Sequence, residues 1–498
     1  MSIENKILFK TEKEKEIYQK TVSFGQEHVF RFWEQLNDKE QEHLLNQLEK
    51  IDFILMKNLA EKWIFSNPET EVFSQIQPVP VISLQEETHP TEQEAYECGE
   101  EMLRKGKVAL FLVAGGQGTR LGFNGPKGTY PIGPITKKSL FEYHAEKIIN
   151  LQNKYACVLP WYIMVSEGNE KATVSFFEKH RFFGLNPNNV YFAVQPMVPC
   201  LNEQGEFMLE SPSSIAMNPN GHGGAIQTIV EKGILHDARS RGIEILSYFQ
   251  VDNWAVKVAD PRFIGYHTLN KAEMSSKIIR KNSLREPVGV HCLCDGIYRV
   301  IEYSELDIYP QLLETDPNGN MKFFAGNPAM HIISLNFVET VYHQFHNFPW
   351  HRAFKKIPYI NTQGNLIKPE QPNGFKFETF IFDALRFTNH PPVAVEIQRE
   401  GEYTPIKQFD GDNSVLSARK NMTQFWGTWI KKAGYDIVSH LVQNDDFLIE
   451  ISPVFSLTEK EFLERQKFYK WEITNHGIAI EKNGTVISKD KNISQVEY

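Results

Sequence analysis

Hydrophobic and polar positions follow two different patterns along the chain, and the change lies near Lys107. Before that point, apolar residues recur at helical spacing, as in Leu44, Leu48 and Ile51, with polar residues between them. Such spacing puts the apolar side chains on one face of a helix. The pattern predicts a helical N-terminal region over residues 1–90 that packs through this face.

Helix boundaries in this region are indicated by capping residues. The stretch Asp38-Lys39-Glu40-Gln41 resembles a capping box, in which a side chain at the helix start and one three residues later bond each other's backbone. Thr91-Glu92-Gln93-Glu94 is a second one, and its helix should end near Gly106. Between them, Gln77-Pro78-Val79-Pro80 is predicted to be a linker.

After Lys107 the pattern changes to short apolar runs of strand length. These predicted strands are Val108–Val113, Trp161–Val165, Val190–Val194, Ile243–Val251 and Ala329–Leu335. Helical spacing lies between several of them, as in Ser139–Leu151 and Ile226–Ala238. Alternating strands and helices are typical of an α/β fold, with a sheet covered by helices.

Shorter, mixed elements begin near residue 400. A hairpin is predicted over Ile478–Ile487, because Asn483-Gly484 suits a tight turn between two apolar runs. A small α+β C-terminal domain is therefore expected. The predicted organisation is a helical region over 1–90, a catalytic domain over 91–400 and a C-terminal domain over 401–498.

Composition adds limits on function. The 498 residues are 41% hydrophobic and 23% charged, ordinary values for globular proteins, and the formal net charge is −9. A chain without a basic excess is not expected to bind nucleic acid. An anionic ligand would need a locally positive pocket.

The sequence also bears on location. Charged residues occur from the fourth position, no signal-peptide core follows, and no run of about 18 apolar residues occurs, so we expect no membrane association. Few cysteines, odd in number, indicate a reducing compartment; they are Cys98, Cys157, Cys200, Cys292 and Cys294. We expect a cytoplasmic protein, as a monomer or weak dimer.

The clearest candidate for chemistry is LVAGGQGTRLG, Leu112–Gly122, which has four glycines and follows an apolar strand. Open α/β sheets bind nucleotides at such a place. The loop lacks the lysine-serine/threonine ending of a P-loop, and Leu121 stands where a dinucleotide-binding loop has its third glycine. Arg120 and Lys127 add two cations beside exposed backbone N–H groups, which favours a polyphosphate over a ligand-free turn.

The loop and the following GPKG (Gly125–Gly128) resemble the signature of the sugar-nucleotide pyrophosphorylases, in their UDP-sugar branch. An ordered series of further motifs over residues 90–410 is similar to the eukaryotic-type UDP-N-acetylhexosamine pyrophosphorylases. These motifs are at 195–199, 221–224, 251–253, 258–265, 286–290, 302–305, 325–327, 355–359 and 380–383. The resemblance is weaker at both ends of the chain.

This resemblance implies a Rossmann-like nucleotidyltransferase fold of the GT-A-like type, with a mixed sheet. It implies that UTP and a sugar 1-phosphate react with Mg²⁺ to give a UDP-sugar and pyrophosphate. Such a reaction needs positioned charges and no covalent nucleophile. The alternatives are a non-catalytic UDP-sugar-binding protein, a nucleotidyltransferase for another base, and a dinucleotide-dependent oxidoreductase.

The resemblance also implies roles for individual residues. The phosphate-binding, catalytic cations are Arg120, Lys127 and Lys407, and the magnesium ligand is Asp252. The nucleotide-binding residues are Leu112, Ala114, Gly115, Gly116, Gly118, Thr119, Gln195, Gly221 and His222. The sugar-binding residues are Gly289, Glu302, Tyr303 and Asn327. The alternatives are surface charges for the cations, a cap for Asp252 and core packing for Tyr303.

His222 departs from the motif of the N-acetylhexosamine enzymes, which have Gly-Asn-Gly-Gly where this chain has Gly221-His222-Gly223-Gly224. Gly-His-Gly is reminiscent of UDP-glucose and broad UDP-sugar pyrophosphorylases, and the histidine could be a pH-sensitive ligand contact. The sugar-binding residues favour N-acetylglucosamine 1-phosphate, with Phe380 and Phe382 as a wall for the acetyl methyl. Glucose 1-phosphate or a broad specificity is the alternative.

Overall fold

The computed structural model describes residues 9–66, 71–84, 89–437, 447–471, 473 and 477–487. In these ranges the α-helices are α1 Glu12–Ser23, α2 Asp38–Lys50, α3 Phe53–Ala60, α4 Glu92–Arg104, α5 Leu140–Tyr155, α6 Glu170–Lys179, α7 Ala225–Glu231, α8 Ile234–Ser240, α9 Pro261–Leu269, α10 Leu335–His343, α11 Val415–Lys432 and α12 Glu459–Arg465.

The strands are β1 Ile76–Pro78, β2 Val81–Ile82, β3 Val108–Val113, β4 Trp161–Val165, β5 Val190–Val194, β6 Met197–Pro199, β7 Leu209–Ser211, β8 Ser214–Ile215, β9 Met217–Pro219, β10 Ile245–Gln250, β11 Met274–Arg280, β12 Val290–Cys294, β13 Ile297–Ile301, β14 Ala325–Gly326, β15 His331–Ser334, β16 His351–Lys355, β17 Tyr359–Ile360, β18 Leu366–Ile367, β19 Gly374–Glu378, β20 Val393–Ile397, β21 Leu448–Ile451, β22 Gly477–Ile480 and β23 Val486–Ile487.

The chain forms two compact units that are interleaved along the sequence. The first unit comprises residues 1–72, 195–224 and 344–383, and the second comprises 73–194, 225–343 and 384–498. This division differs from the three consecutive segments expected from the sequence, because residues from 384 onward group with the sheet.

The first unit packs α1–α3 with short strand pairs around a core of its own. The predicted apolar face is confirmed, since Leu44, Leu48 and Ile51 are buried. The predicted capping box is wrong by one residue: Asn37 is the N-cap, and it exchanges hydrogen bonds with Glu40. Asn and Asp are equally good N-caps, so the two adjacent residues cannot be told apart by type.

The second unit is built on a mixed sheet. Among the described residues it has twelve strands, in the order β1-β12-β14-β11-β15-β10-β3-β4-β5, with β13 beside β12, β20 beside β11, and β2 beside β20. β3 lies between β10 and β4 and is parallel to both. Residues Val108–Leu112 are all buried, as expected for a strand covered on both faces.

The five predicted strands are confirmed as β3, β4, β5, β10 and β15. Thr91 and Glu94 form the predicted capping box of α4, and Ser139 caps α5. Two expectations are wrong. The region Ile226–Ala238 is two helices separated at Gly233, whose φ is +78°, and residues 77–80 include part of β1, which pairs with β12.

The C-terminal part contains the predicted hairpin between β22 and β23, with Gly484 at φ +80° in its turn. All five cysteines are free. In the ranges described, no helix has the length and apolar character needed to cross a membrane.

Candidate active site

The glycine-rich loop leaves the carboxyl end of β3, which lies between β10 and β4 in the sheet. Two buried side chains from the segment after β4 fix its carbonyl groups. Ser166 Oγ donates to the carbonyl of Gly115 at 2.9 Å, and Asn169 Nδ2 donates to that of Ala114 at 3.0 Å. The N–H groups of residues 115–117 bond no other described residue. The loop therefore presents a row of free donors, which suits an anion.

Two glycines of the loop have different structural reasons. A Cβ on Gly116 would meet no atom within 4 Å, so space beside this residue is open. A Cβ on Gly118 would lie 2.7 Å from the ring of Phe123. The absence of a side chain at Gly118 is thus required by packing inside the loop, whereas Gly116 leaves room for a ligand.

The other predicted nucleotide residues of this region differ in exposure. Leu112 is fully buried within β3, so its side chain belongs to the core. Thr119 begins a short 3-10 turn, Thr119–Leu121, and is exposed. Arg120 follows it, and among the described residues it has neither an ion pair nor a hydrogen bond. An exposed guanidinium without a partner is available to a phosphate.

Lys127 and Asp252 form an ion pair beside the loop. Their Nζ and Oδ2 atoms are 2.9 Å apart, and each side chain is 16% exposed. Burial alone would raise the pKa of Asp252, but the charge of Lys127, its hydrogen bond and the charge of Lys407 hold that pKa below its ordinary value. Two of the predicted cations and the predicted metal ligand therefore form one cluster, and Asp252 is ionised at neutral pH.

Lys407 is held near Asp252 by the backbone around it. The N–H of Ile406 donates to the carbonyl of Asp252 at 3.0 Å. The side chain of Asn253 bonds the same segment twice: Nδ2 donates to the carbonyl of Glu402 at 2.7 Å, and Oδ1 accepts from the N–H of Thr404 at 2.9 Å. This segment, residues 402–407, therefore packs alongside the end of β10.

A buried charge network anchors this segment through Glu402. Lys277, on β11, donates to Asp260 and to Glu402, each at 2.7 Å, and Lys257 also pairs with Glu402 at 2.7 Å. Sequence reasoning missed this network and Asn253. The available signal was a lysine inside the buried run of β11, because a lysine in a strand core is normally paired.

The predicted sugar-binding residues form a second cluster. The N–H of Asn327 donates to the carbonyl of Gly289 at 2.8 Å. A Cβ on Gly289 would lie 2.9 Å from Oε1 of Glu302, so that carboxylate rests against the glycine. Tyr303 is 49% exposed, which excludes the alternative that it is a core residue.

Both clusters lie at the same edge of the sheet. The cross-strand pairs of the sheet show this. Tyr248 on β10 lies opposite His331 on β15, which lies opposite Ser276 on β11. Three residues further along β11, Ile279 lies opposite Gly326 on β14, which lies opposite Val290 on β12. Because β10 and β11 are both antiparallel to β15, they run in the same direction, and Val251, three residues after Tyr248, is level with Ile279. Asp252 is next to Val251, and Gly289 is next to Val290. This is the carboxyl edge of β3 and β10, where α/β sheets bind ligands.

Three predicted nucleotide residues belong to the first unit. Gln195 is buried. Gly221 has φ +84°, and a Cβ there would lie 2.3 Å from the carbonyl oxygen of Thr379, so only glycine fits. His222 follows it. The contacts given for Gly221 and His222 are with other residues of the first unit.

His222 lies against the aromatic rings that were expected to form an apolar wall. Its ring stacks on Phe380 at 5.3 Å between centroids and is 5.8 Å from Phe382. The N–H of Ile381 donates to Nδ1 at 3.1 Å, so the ring proton is on Nε2. Burial, and then the charge of His351, lower the pKa of His222 to about 4. The ring is therefore neutral near pH 7, and its contact with a ligand stays a prediction.

The described residues contain no cluster of three or more His, Cys, Asp or Glu that could hold a metal alone. Magnesium at phosphate sites needs only one or two carboxylates, since the phosphates and water complete its coordination. Asp252 is ionised and beside the loop. The residues present therefore fit a magnesium ion that a polyphosphate helps to bind.

Comparison with known proteins decides the family. Residues 56–426 match the protein family described as UTP--glucose-1-phosphate uridylyltransferase. The chain belongs to this family. The match spans the glycine loop, the cluster of Lys127, Asp252 and Lys407, and the predicted sugar-binding residues of this uridylyltransferase-family protein.

Relatives within the uridylyltransferase family cover most of the chain. The UDP-N-acetylhexosamine pyrophosphorylase-like protein 1 of Xenopus tropicalis is 37% identical over 428 residues, which are 82% of this chain and 83% of that protein. The UDP-N-acetylglucosamine pyrophosphorylase of Saccharomyces cerevisiae is 34% identical over 484 residues, 93% of this chain and 98% of that protein.

A solved structure is also similar. The uridine diphosphate N-acetylglucosamine pyrophosphorylase of Trypanosoma brucei, crystallised with an inhibitor, has a TM-score of 0.77 and 25% identity, covering 93% of this chain and 96% of that one. The family resemblance and the fold predicted from the sequence are confirmed.

Proposed function

We propose that this protein is a uridylyltransferase that forms UDP-N-acetylglucosamine and pyrophosphate from UTP and N-acetylglucosamine 1-phosphate. One observation carries the proposal: Lys127, Asp252 and Lys407 form one charged cluster next to the free N–H groups of the loop. The names of the relatives support the sugar and the base.

The arrangement suits phosphoryl chemistry of this type. A phosphate oxygen of the sugar 1-phosphate attacks the α-phosphorus of UTP, and the bond to the bridging oxygen of the β-phosphate breaks, so pyrophosphate leaves. The loop N–H groups and Arg120 would bind the leaving pyrophosphate, and Lys127 and Lys407 would stabilise charge at the α-phosphate. Asp252 would hold Mg²⁺, which neutralises phosphate charge when bound.

The sugar would bind at the second cluster. The Glu302 carboxylate, which lies against Gly289, and the exposed Tyr303 hydroxyl would offer an acceptor and a donor to a hexose hydroxyl array. Glucose 1-phosphate is the second candidate, because His222 stands where asparagine is typical of the N-acetylhexosamine enzymes. A pocket for one acetyl group discriminates by only ~1–3 kcal/mol, so some tolerance of both sugars is expected.

The first experiment measures pyrophosphate release from UTP and N-acetylglucosamine 1-phosphate with Mg²⁺. Turnover should require both substrates and should stop when a chelator removes the metal. Asp252→Asn should lower kcat by roughly 10²-fold or more, because the carboxylate is replaced by a neutral amide. A folded sample that binds UDP-sugar and releases no pyrophosphate with any sugar phosphate would instead be a non-catalytic binding protein.

The sugar is decided by kcat/KM for N-acetylglucosamine 1-phosphate and glucose 1-phosphate at saturating UTP. We expect a preference for the N-acetylated sugar. A tenfold or greater preference for glucose 1-phosphate would contradict this assignment. His222→Asn, with Phe382→Leu as a control for general damage to the aromatic cluster, would show whether His222 sets the preference.

A further inference from the structure

The ion pair between Lys127 and Asp252 joins two groups that the proposed function assigns to different partners. Lys127 is to bind phosphate and Asp252 is to bind a metal ion, yet here the Lys127 Nζ and the Asp252 Oδ2 are 2.9 Å apart. Neither group is fully available to its partner while this contact lasts. The pair must separate before both can act.

The surroundings make this contact stronger than a surface ion pair. Both side chains are 16% exposed, so solvent screens the two charges less than at an open surface. No other described side chain donates a hydrogen bond to the Asp252 carboxylate, and Lys407 adds a second positive charge nearby. A divalent cation that approaches Asp252 in the free protein therefore meets an ammonium group in contact with its ligand.

Lys127 is also placed so that a nucleotide can draw it away. Its backbone N–H donates to the carbonyl of Gly116 at 3.0 Å, which fixes the base of the side chain beside the free N–H row of the loop. A triphosphate in the loop would carry several negative charges, more than the single charge of Asp252. The flexible lysine stem can then turn to the phosphate without a backbone change.

We propose that Lys127 blocks Asp252 in the free protein and releases it when a nucleotide enters the loop. The inference rests on the proposed function, in which Asp252 is the metal ligand. It adds an order of events: a divalent cation reaches Asp252 with or after the nucleotide and does not bind the free protein there. A single lysine thus links occupation of the phosphate site to formation of the metal site.

The test measures metal binding directly. The protein is labelled with 5-fluorotryptophan, and Mn²⁺ is titrated while the ¹⁹F signal of Trp254, two residues after Asp252, is followed for paramagnetic broadening. Trp254→Phe assigns the signal. Without nucleotide, the wild-type signal should resist broadening. With UTP, it should broaden at an Mn²⁺ concentration at least about tenfold lower.

The decisive variant is Lys127→Met. Without nucleotide, the Trp254 signal of this variant should broaden at an Mn²⁺ concentration at least about tenfold lower than in the wild type, because Asp252 is freed. Lys127→Arg retains a cation that can pair with Asp252 and should resemble the wild type. Arg120→Met removes the same charge from a residue that is not paired with Asp252, and it should leave the titration unchanged. Adding Asp252→Asn to Lys127→Met should abolish the gain.

Three results would overturn the inference: equal Mn²⁺ titrations of wild type and Lys127→Met without nucleotide, an equal gain in Arg120→Met, or a gain that survives Asp252→Asn. Turnover of the wild type separates this from the proposed function. If UDP-sugar forms and the Lys127→Met gain is absent, only the blocking role fails. If no sugar phosphate reacts and the Asp252-dependent gain is present, the proposed function fails and the blocking role stands.

Discussion

Gly116 and Gly118 are two residues apart in one loop, yet they are glycine for different reasons. Next to Gly116 the space is open, while next to Gly118 the Phe123 ring would be 2.7 Å from a Cβ. A contact under 3 Å to an aromatic ring requires that ring or the loop to move. The same methyl group should therefore have opposite consequences at the two positions.

We expect Gly118→Ala to lower the melting temperature, because Phe123 must shift, and Gly116→Ala to leave it near the wild-type value. Gly116→Ala should instead weaken UTP binding, since its methyl occupies the space proposed for the nucleotide. Calorimetry and UTP titration measure the two effects. Gly118→Ala with Phe123→Leu tests the cause, and it should regain part of the lost stability. Equal effects on UTP affinity at the two positions would contradict the proposed place of the nucleotide.

At the scale of elements, the end of β10 and the segment 402–407 behave as one piece. Asn253 bonds Glu402 and Thr404, and Ile406 bonds the backbone of Asp252. Lys277 anchors Glu402 from β11. The position of Lys407 therefore depends on residues far away in the sequence.

This arrangement predicts coupling between Asn253 and Lys407. Asn253→Ala should lower kcat about tenfold, with a smaller change in the KM for UTP, because Lys407 loses its support. In a double-mutant cycle, Asn253→Ala should cost little in a protein that already carries Lys407→Ala. Asn253→Asp, which can still accept from Thr404 but cannot donate to Glu402, should fall between. Additive losses would show that Asn253 acts independently of Lys407.

At the scale of the whole molecule, buried histidines govern the response to acid. Burial lowers the pKa of His144, His267 and His291 to about 3 and, with His351, that of His222 to about 4. These rings are neutral in the folded protein, whereas in the unfolded chain they take up protons below pH 6.5. The unfolded state therefore binds more protons as the pH falls from 6.5 toward 4, and stability is lost over that range.

Glu142 acts in the opposite direction, because burial raises its pKa to about 7, so the folded state binds its proton more readily. Burial raises the pKa of Glu146 in the same direction, and four histidines outweigh these two carboxyls. We predict that the urea midpoint of unfolding falls between pH 6.5 and pH 5. The ring nitrogens of His267 contact Ser275 and Ser334. His267→Gln should reduce the slope of the urea midpoint against pH, although it lowers stability at pH 7.5. A midpoint that rises toward pH 5 would contradict the prediction.

The sequence by itself determined most of the elements and the location of the glycine-rich loop. Apolar runs, helical spacing and capping residues act over a few neighbouring positions, so the strands from Val108 to Val194 and the boundary at Thr91 could be predicted from local pattern. Arg120 and Lys127 stand close to the loop in sequence and could be noticed there. The roles of Asp252 and of the predicted sugar-binding residues came from resemblance to a family.

Only the tertiary structure decided which charges meet. Lys127 and Asp252 are 125 residues apart, and Lys277 and Glu402 are also 125 apart. No local rule relates such positions, since their contact depends on the order and register of the strands that carry them. The same reason explains residues 77–80: their prolines and apolar side chains are typical of a linker, and a partner strand more than 200 residues later turns part of them into β1. Pairing across the sheet is a property of the whole fold.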